Sequence, residues 1–134
     1  MKQFKVFAGY RQFYVADAEL EPSPPEDWTD THGEQRHNTL QHITALCPEN
    51  DMSARIICCG PDDEYPALPH PAEFEVHTEI EVPSGRIGVY GWPWELEDEY
   101  HVESGTYAIC FRGYALDQME TQEDYYGVHI RRKA

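Results

Sequence analysis

The sequence predicts an all-β domain, an antiparallel β-sandwich of about eight strands with long Pro-rich loops. Three observations carry that expectation. Apolar residues fall in short runs closed by Pro, Gly, Asn or Asp, the pattern of strands ended by turns. The segment Glu73 to Val82 alternates with period two. It places Phe74, Val76, Thr78, Ile80 and Val82 on one side and Glu73, Glu75, His77, Glu79 and Glu81 on the other, as a half-buried strand requires. Helical periodicity is weak throughout, and without crossover helices a parallel sheet has no way to connect its strands.

The expected strands follow in order. They are Phe4 to Ala8, Gln12 to Ala16, Thr39 to Leu46, Ala54 to Cys59, Glu73 to Val82, Arg86 to Tyr90, Thr106 to Tyr114 and Tyr125 to Arg131. Pro48-Glu49-Asn50-Asp51 and Pro83-Ser84-Gly85 read as turns, each closing an antiparallel hairpin. Three stretches stay irregular: Leu20 to Arg36, Gly60 to Pro71 and Gly91 to Glu99. Pro22, Pro24 and Pro25 stiffen the first, and Pro61, Pro66, Pro69 and Pro71 hold the second extended. In the first, Asp27-Trp28-Thr29-Asp30 reads as an anchored turn, with Trp28 covering one end of the core while Asp27 and Asp30 accept backbone hydrogen bonds. A chain of 134 residues fits one domain over positions 1–134.

Charge narrows the function. Against 25 acidic residues stand 10 basic ones, a formal net charge of -15. Such a surface repels nucleic acid and anionic membranes and attracts basic proteins. With 40% apolar and 13% aromatic residues the chain still has the means to build a core. The start, MKQFKVFAGY, lacks a signal peptide's apolar stretch, and no run approaches the roughly 18 apolar residues of a membrane span. A cytoplasmic location is expected. Cys47, Cys58, Cys59 and Cys110 have no CxxC spacing and read as reduced, buried thiols.

Tyr10-x-Gln12-Phe13-x-Val15, the Pro-containing loop with Asp27-Trp28-Thr29-Asp30, then Gly105-x-Tyr107 and Asp124-x-Tyr126 together carry a resemblance. The chain resembles the competence protein ComJ family over most of its length. Members of that family are small acidic proteins whose named representative binds and restrains a DNA-entry nuclease. The resemblance implies a nuclease as partner. The Pro-rich segment between Gly60 and Glu73 and the sequence Trp92-Pro93-Trp94 depart from the family pattern.

The candidate partner-binding residues form two groups. Glu73, Glu75, Glu79 and Glu81 lie on the alternating strand, where carboxylates on one face advance about 6.8 Å per step and so match every second phosphate of a DNA strand, at about 3.4 Å each. Glu95, Glu97, Asp98, Glu99 and Glu103 form a second cluster, expected to share a rim with the first, with Trp92 and Trp94 side by side as an exposed platform and Tyr90 and Tyr100 as further anchors. A third group, Asp117, Glu120, Glu123 and Asp124, reads as a solvated loop, and the tail Arg131-Arg132-Lys133 as relief of repulsion. The combined expectation is a non-catalytic protein that occupies the basic DNA-binding cleft of a nuclease.

Two other classes compete. An enzyme would need a motif, and HExxH, GxSxG and phosphate-cradling glycine loops are all missing from the sequence. The histidines have no metal-ligand spacing, so no cofactor and no metal are expected. The alternative is a small-ligand or carbohydrate-binding sandwich that stacks a sugar on Trp92 and Trp94, which accounts for the tryptophans but not for the charge. An exposed edge strand also offers a route to a homodimer.

Overall fold

The computed structural model describes residues 1–49, 53–116 and 124–133. Ten strands form: β1 Lys2–Phe7, β2 Phe13–Asp17, β3 His37–Thr39, β4 Ile43–Leu46, β5 Ser53–Cys59, β6 Phe74–Val82, β7 Arg86–Gly91, β8 Glu95–His101, β9 Gly105–Tyr114 and β10 Tyr125–Arg132. They build two five-stranded sheets. The first has the order β1-β5-β10-β9-β6 and the second β3-β4-β2-β7-β8. The expected all-β sandwich is what the chain adopts. Every pairing is antiparallel except β5 with β10.

Between the sheets lies one apolar core. Val6, Phe13, Val15, Leu46, Ile56, Ile80, Ile87, Val89, Ile109, Phe111, Tyr126 and Val128 are all buried there. Phe111 is its hub, touching Phe13 at 5.6 Å and Phe74 at 5.2 Å edge-on and Tyr126 at 5.7 Å nearly parallel. Such offset and edge contacts add to the burial of the rings themselves. In β6 the alternation seen in the sequence is realised, with Ile80 and Val82 buried and every glutamate exposed. β6 packs over β3 and β4, whereas β1 packs over β7 and β8.

Several expectations need correction. The segment Thr39 to Leu46 is two strands, because Leu40 donates its amide to the Ile43 carbonyl at 2.8 Å and folds β3 back on β4. The stretch Gly91 to Glu99 is no loop: its second half is β8, whose charged residues have low strand propensity and hid it. Neither expected hairpin exists. β4 and β5 belong to different sheets, and so do β6 and β7, so both connections cross the sandwich. Asn50 and Asp51 of the first turn, and Asp117, Glu120 and Glu123 of the third acidic group, lie outside the described residues. Asp124 is buried and accepts a hydrogen bond from the Tyr126 hydroxyl at 3.2 Å, so it is not part of a solvated loop.

Within the Leu20 to Arg36 stretch sits a helix, α1 Asp30–Gln35. Thr29 caps it: its hydroxyl accepts from the His32 amide, while His32 Nδ1 accepts from the Thr29 amide at 3.1 Å. This is a capping box with His in the place of the usual acid. The motif Asp27-Trp28-Thr29-Asp30 is therefore a helix start. Trp28 covers the outside of the second sheet, not the end of the core.

The crossing from β6 to β7 is held by Asp17, at the end of β2. This fully buried carboxylate accepts from the Ser84 hydroxyl at 2.7 Å, the Ser84 amide at 3.0 Å, and the amides of Glu19 and Leu20 at 3.0 Å each. Gly85 completes the turn at φ +78, where a side chain would sit 2.7 Å from the Val102 carbonyl. No helix among the described residues is long and apolar enough to cross a membrane.

Burial by itself raises the pKa of Asp17, but the bonds from Ser84, Leu20 and Glu19 outweigh it and hold the group below the usual carboxylate range. A carboxylate lowered in the fold contributes stability that is fully present above its unfolded pKa and is lost as pH falls through its folded one. Asp17→Asn is expected to cost about 2–3 kcal/mol at neutral pH, from hydrogen bonds to a charged group. Chemical denaturation read at pH 7 and at about pH 3 checks this: the gap between wild type and variant narrows in acid.

Candidate functional site

The second sheet is apolar on both faces. In β2 the run Phe13-Tyr14-Val15-Ala16 is buried throughout; Phe13 and Val15 enter the core, and Tyr14 and Ala16 face outward. Outward also point Ile43 and Ala45 of β4 and Tyr90 of β7. Over them lie Trp28, Trp92 and Trp94. Trp94 stacks flat on Tyr90, with ring centres 4.0 Å apart and planes 9° apart, and leans on Tyr14 at 5.8 Å. Tyr90 in turn lies across Gly88, where any Cβ would come within 2.5 Å of its ring. Burial pushes the Tyr14 hydroxyl up to about 12, and it raises that of Tyr90, helped by the charges of Glu99 and Glu21.

Beside this stack a cleft of about 520 Å³ is lined by Glu19, Glu21, Arg86, Tyr90, Trp94 and Leu96. Leu96 is 48% exposed. Arg86 is already engaged, donating to Glu99 at 2.5 Å and to Glu19 at 3.4 Å. Arg86 holds the Glu99 carboxyl below its ordinary value. Glu21 and Glu95 have no hydrogen bond or ion pair from their carboxylates to any described residue. The face thus combines a rigid aromatic anchor with uncompensated negative charge.

The predicted residues divide between two faces. Trp94 lines the aromatic cleft and Glu99 borders it through Arg86, whereas Glu95 pairs with Gly91 and lies beside Glu97. Glu97 occupies a break in the β7–β8 register, where burial and the neighbouring Glu95 raise its pKa. Asp98 turns toward the interior with Lys2 3.7 Å from one oxygen, and its other oxygen and the Tyr100 hydroxyl are both buried. Tyr100 packs against the core beside Gly60 and is no surface anchor. Trp92 and Trp94 lie over the same outer face but stack on different rings: Trp92 packs on Phe7 at 5.9 Å and Tyr10 at 5.2 Å, and Trp94 on Tyr90.

Glu73, Glu75, Glu79 and Glu81 lie on the other sheet, at the opposite edge of the sandwich from β8. The two acidic clusters do not share a rim. The strand carboxylates also have partners of their own. Glu75 accepts from Arg112 at 2.5 Å and lies 2.9 Å from His77 Nε2, Glu79 pairs with Lys133 at 2.8 Å, Glu81 accepts from Gln41 at 2.7 Å, and Glu73 accepts from the Leu116 amide at 2.5 Å. Hydrogen bonds from His77 and Arg112 lower the Glu75 pKa. The basic tail thus serves in part as a counter-charge to this strand, with Arg132 paired to Glu103 as well.

Across from His77 stands Cys110 of β9, its cross-strand neighbour. One ligating atom from each of Glu75, His77 and Cys110 falls within 4.8 Å of the others. Cys47, Cys58 and Cys59 are buried free thiols, and burial pushes Cys58 up to about 12.

Tyr14, Glu19, Glu21 and Leu96 are members of the aromatic face that sequence reasoning missed. A signal was present for one of them: four apolar residues in a row in β2 mean a strand covered on both faces.

Architecture and face define a class, a two-sheet sandwich with an acidic, aromatic outer face. No family model matches the sequence, and no curated protein does. Among solved structures, ComJ from Bacillus subtilis, described as the inhibitor of the DNA degrading activity of NucA, superimposes with a TM-score of 0.78. That match covers 99% of this chain and 96% of ComJ at 17% identity. A protein described as crocagin biosynthetic gene J superimposes at 0.52 over the whole of both chains, at 13% identity. At these identities the likeness establishes a shared fold.

Removing the Trp94 ring should leave the core intact while uncovering Tyr90 and Tyr14. Trp94→Ala is expected to cost about 1–3 kcal/mol, the loss of a half-buried ring plus a stacked pair. Thermal melting measures the cost, and a weakened near-ultraviolet circular dichroism signal reports loss of the Tyr90 stack.

Proposed function

We propose that this protein is a non-catalytic inhibitor that binds a DNA-degrading nuclease and occupies its basic DNA-binding cleft. The observation that carries this reading is the whole-length likeness to ComJ, at TM-score 0.78. The net charge of -15 agrees with it, because a cleft that holds DNA is basic and an acidic protein is steered into it. The partner is the nuclease and not the nucleic acid.

The docking surface assigned here is the outer face of the second sheet. Trp94 over Tyr90 supplies a rigid anchor with little conformational entropy left to lose, and Leu96 extends it. Glu21 lines the cleft beside that anchor without a salt bridge to a described residue, and Glu19 and Glu99 flank it through Arg86. The strand of Glu73, Glu75, Glu79 and Glu81 is the weaker candidate, since its carboxylates are partly neutralised by Arg112 and Lys133. Stacking of a sugar on paired tryptophans is disfavoured by the separate packing of Trp92 and Trp94.

The test begins with capture from native cell extract at low salt, followed by assay of the bound fraction on plasmid DNA. A nuclease activity that is silent in the complex and returns on salt elution supports the reading. Plasmid degradation unaffected by excess protein, with no nuclease captured, sinks it. The double variant Glu19→Lys, Glu21→Lys, at the rim of the aromatic cleft, is expected to slow association about tenfold or more, as loss of electrostatic steering does. Glu79→Lys with Glu81→Lys should change it little, and the reverse ranking would move the interface to the first sheet. A complex indifferent to molar salt contradicts charge-driven docking, because screening then acts over about 3 Å.

A further inference from the structure

We propose that Glu75, His77 and Cys110 form a binding site for a zinc-class divalent cation on the outer face of the first sheet. Residues two apart on a strand point the same way, and a directly paired residue on the next strand joins them. Glu75 and His77 supply the first two positions on β6, and Cys110, paired with His77 on β9, supplies the third. Their ligating atoms lie within 4.8 Å of one another. Four-coordinate zinc holds nitrogen at about 2.0–2.1 Å and sulfur at about 2.3 Å, so the donors need to close by only about 1 Å. The Glu75 and His77 side chains are 46% and 67% exposed and free to make that adjustment.

The donor set suits the ion. A carboxylate, a neutral imidazole and a thiolate bring two negative charges to a doubly charged cation, and the mixture of oxygen, nitrogen and sulfur is a borderline-soft one. Binding replaces the Cys110 S–H bond with a sulfur–metal bond and releases that proton to solvent. Glu75 is already oriented for the task. Arg112 donates to Oε1, and Oε2 accepts from His77 Nε2 at 2.9 Å; on binding, the Nε2 proton is lost to solvent, the neutral imidazole keeps its other proton on Nδ1, and both atoms become ligands. Arg112 is itself braced, its guanidinium 4.7 Å from the centre of the Tyr65 ring. This is the outer support that ligating carboxylates require. On the far side of Cys110 the next residue in the row, His129 of β10, is stacked under Tyr65 at 5.5 Å, which closes the site in that direction. The opening toward solvent leaves a fourth position for water.

The site lies on the opposite sheet from the aromatic face, so metal binding and nuclease binding succeed or fail separately. The test is titration of the reduced protein with cobalt(II), followed by zinc. One equivalent of cobalt should produce near-ultraviolet thiolate-to-metal charge transfer and the visible bands of a tetrahedral ion, and zinc should erase both. Cys110→Ser should abolish the charge transfer, and His77→Ala and Glu75→Gln should each weaken binding about tenfold or more. Absence of the thiolate band in the wild type, or its persistence at full strength in Cys110→Ser, overturns the site. Should the cysteine variant fail to fold, the exposed His77→Ala decides: unchanged affinity there rejects the assignment.

Discussion

The corner at Asp17 is the constraint on which the arrangement of this protein rests. A buried carboxylate at the end of β2 gathers the Ser84 hydroxyl and amide and two amides of its own loop. In a low-dielectric interior that charge is tolerable only because its lone pairs are taken. By holding Ser84, it turns the chain from β6 in one sheet to β7 in the other. The second sheet's middle, its aromatic stack and β8 all follow from where β7 lands.

That corner also separates the two acidic segments. A hairpin at Pro83 to Gly85 would have laid β6 and β7 side by side and brought both clusters onto one surface. Crossing the sandwich sends them to opposite edges of different sheets. The two outer faces then acquire different chemistry. On the first sheet, carboxylates meet guanidinium, ammonium, imidazole and thiol in cross-strand rows, and much of the charge is balanced locally. On the second, aromatic rings fill the surface and the Glu21 carboxylate remains unbalanced. The second face alone thus sets stacked aromatic rings beside a carboxylate without a described counter-charge.

Much of the fold was legible in the sequence, because the signals concerned are local. The alternation from Phe74 to Val82 specifies a strand with one wet face, and burial along β6 follows it residue by residue. β8 was hidden because Glu95, Glu97, Asp98 and Glu99 disfavour strands in isolation; β7 supplies the ladder that overrides that preference. Helix α1 was hidden by its brevity and its lack of an apolar stripe, although Thr29 and His32 cap it. For the site, Trp94 was legible as an aromatic beside charge. Glu19 and Glu21 were not, since their place beside Trp94 depends on the loop after β2.

The sequence by itself determined the class of fold, the two faces of the alternating strand and the strongly negative field. Those properties depend on residues a few positions apart or on a sum over the whole chain. Only the tertiary structure decided which strands share a sheet, which carboxylates are neutralised and which aromatics stack. A short turn such as Pro83-Ser84-Gly85 is compatible with a hairpin or with a crossing. The choice is made by Asp17, 67 residues away, and His77 likewise meets Cys110 only through the pairing of β6 with β9.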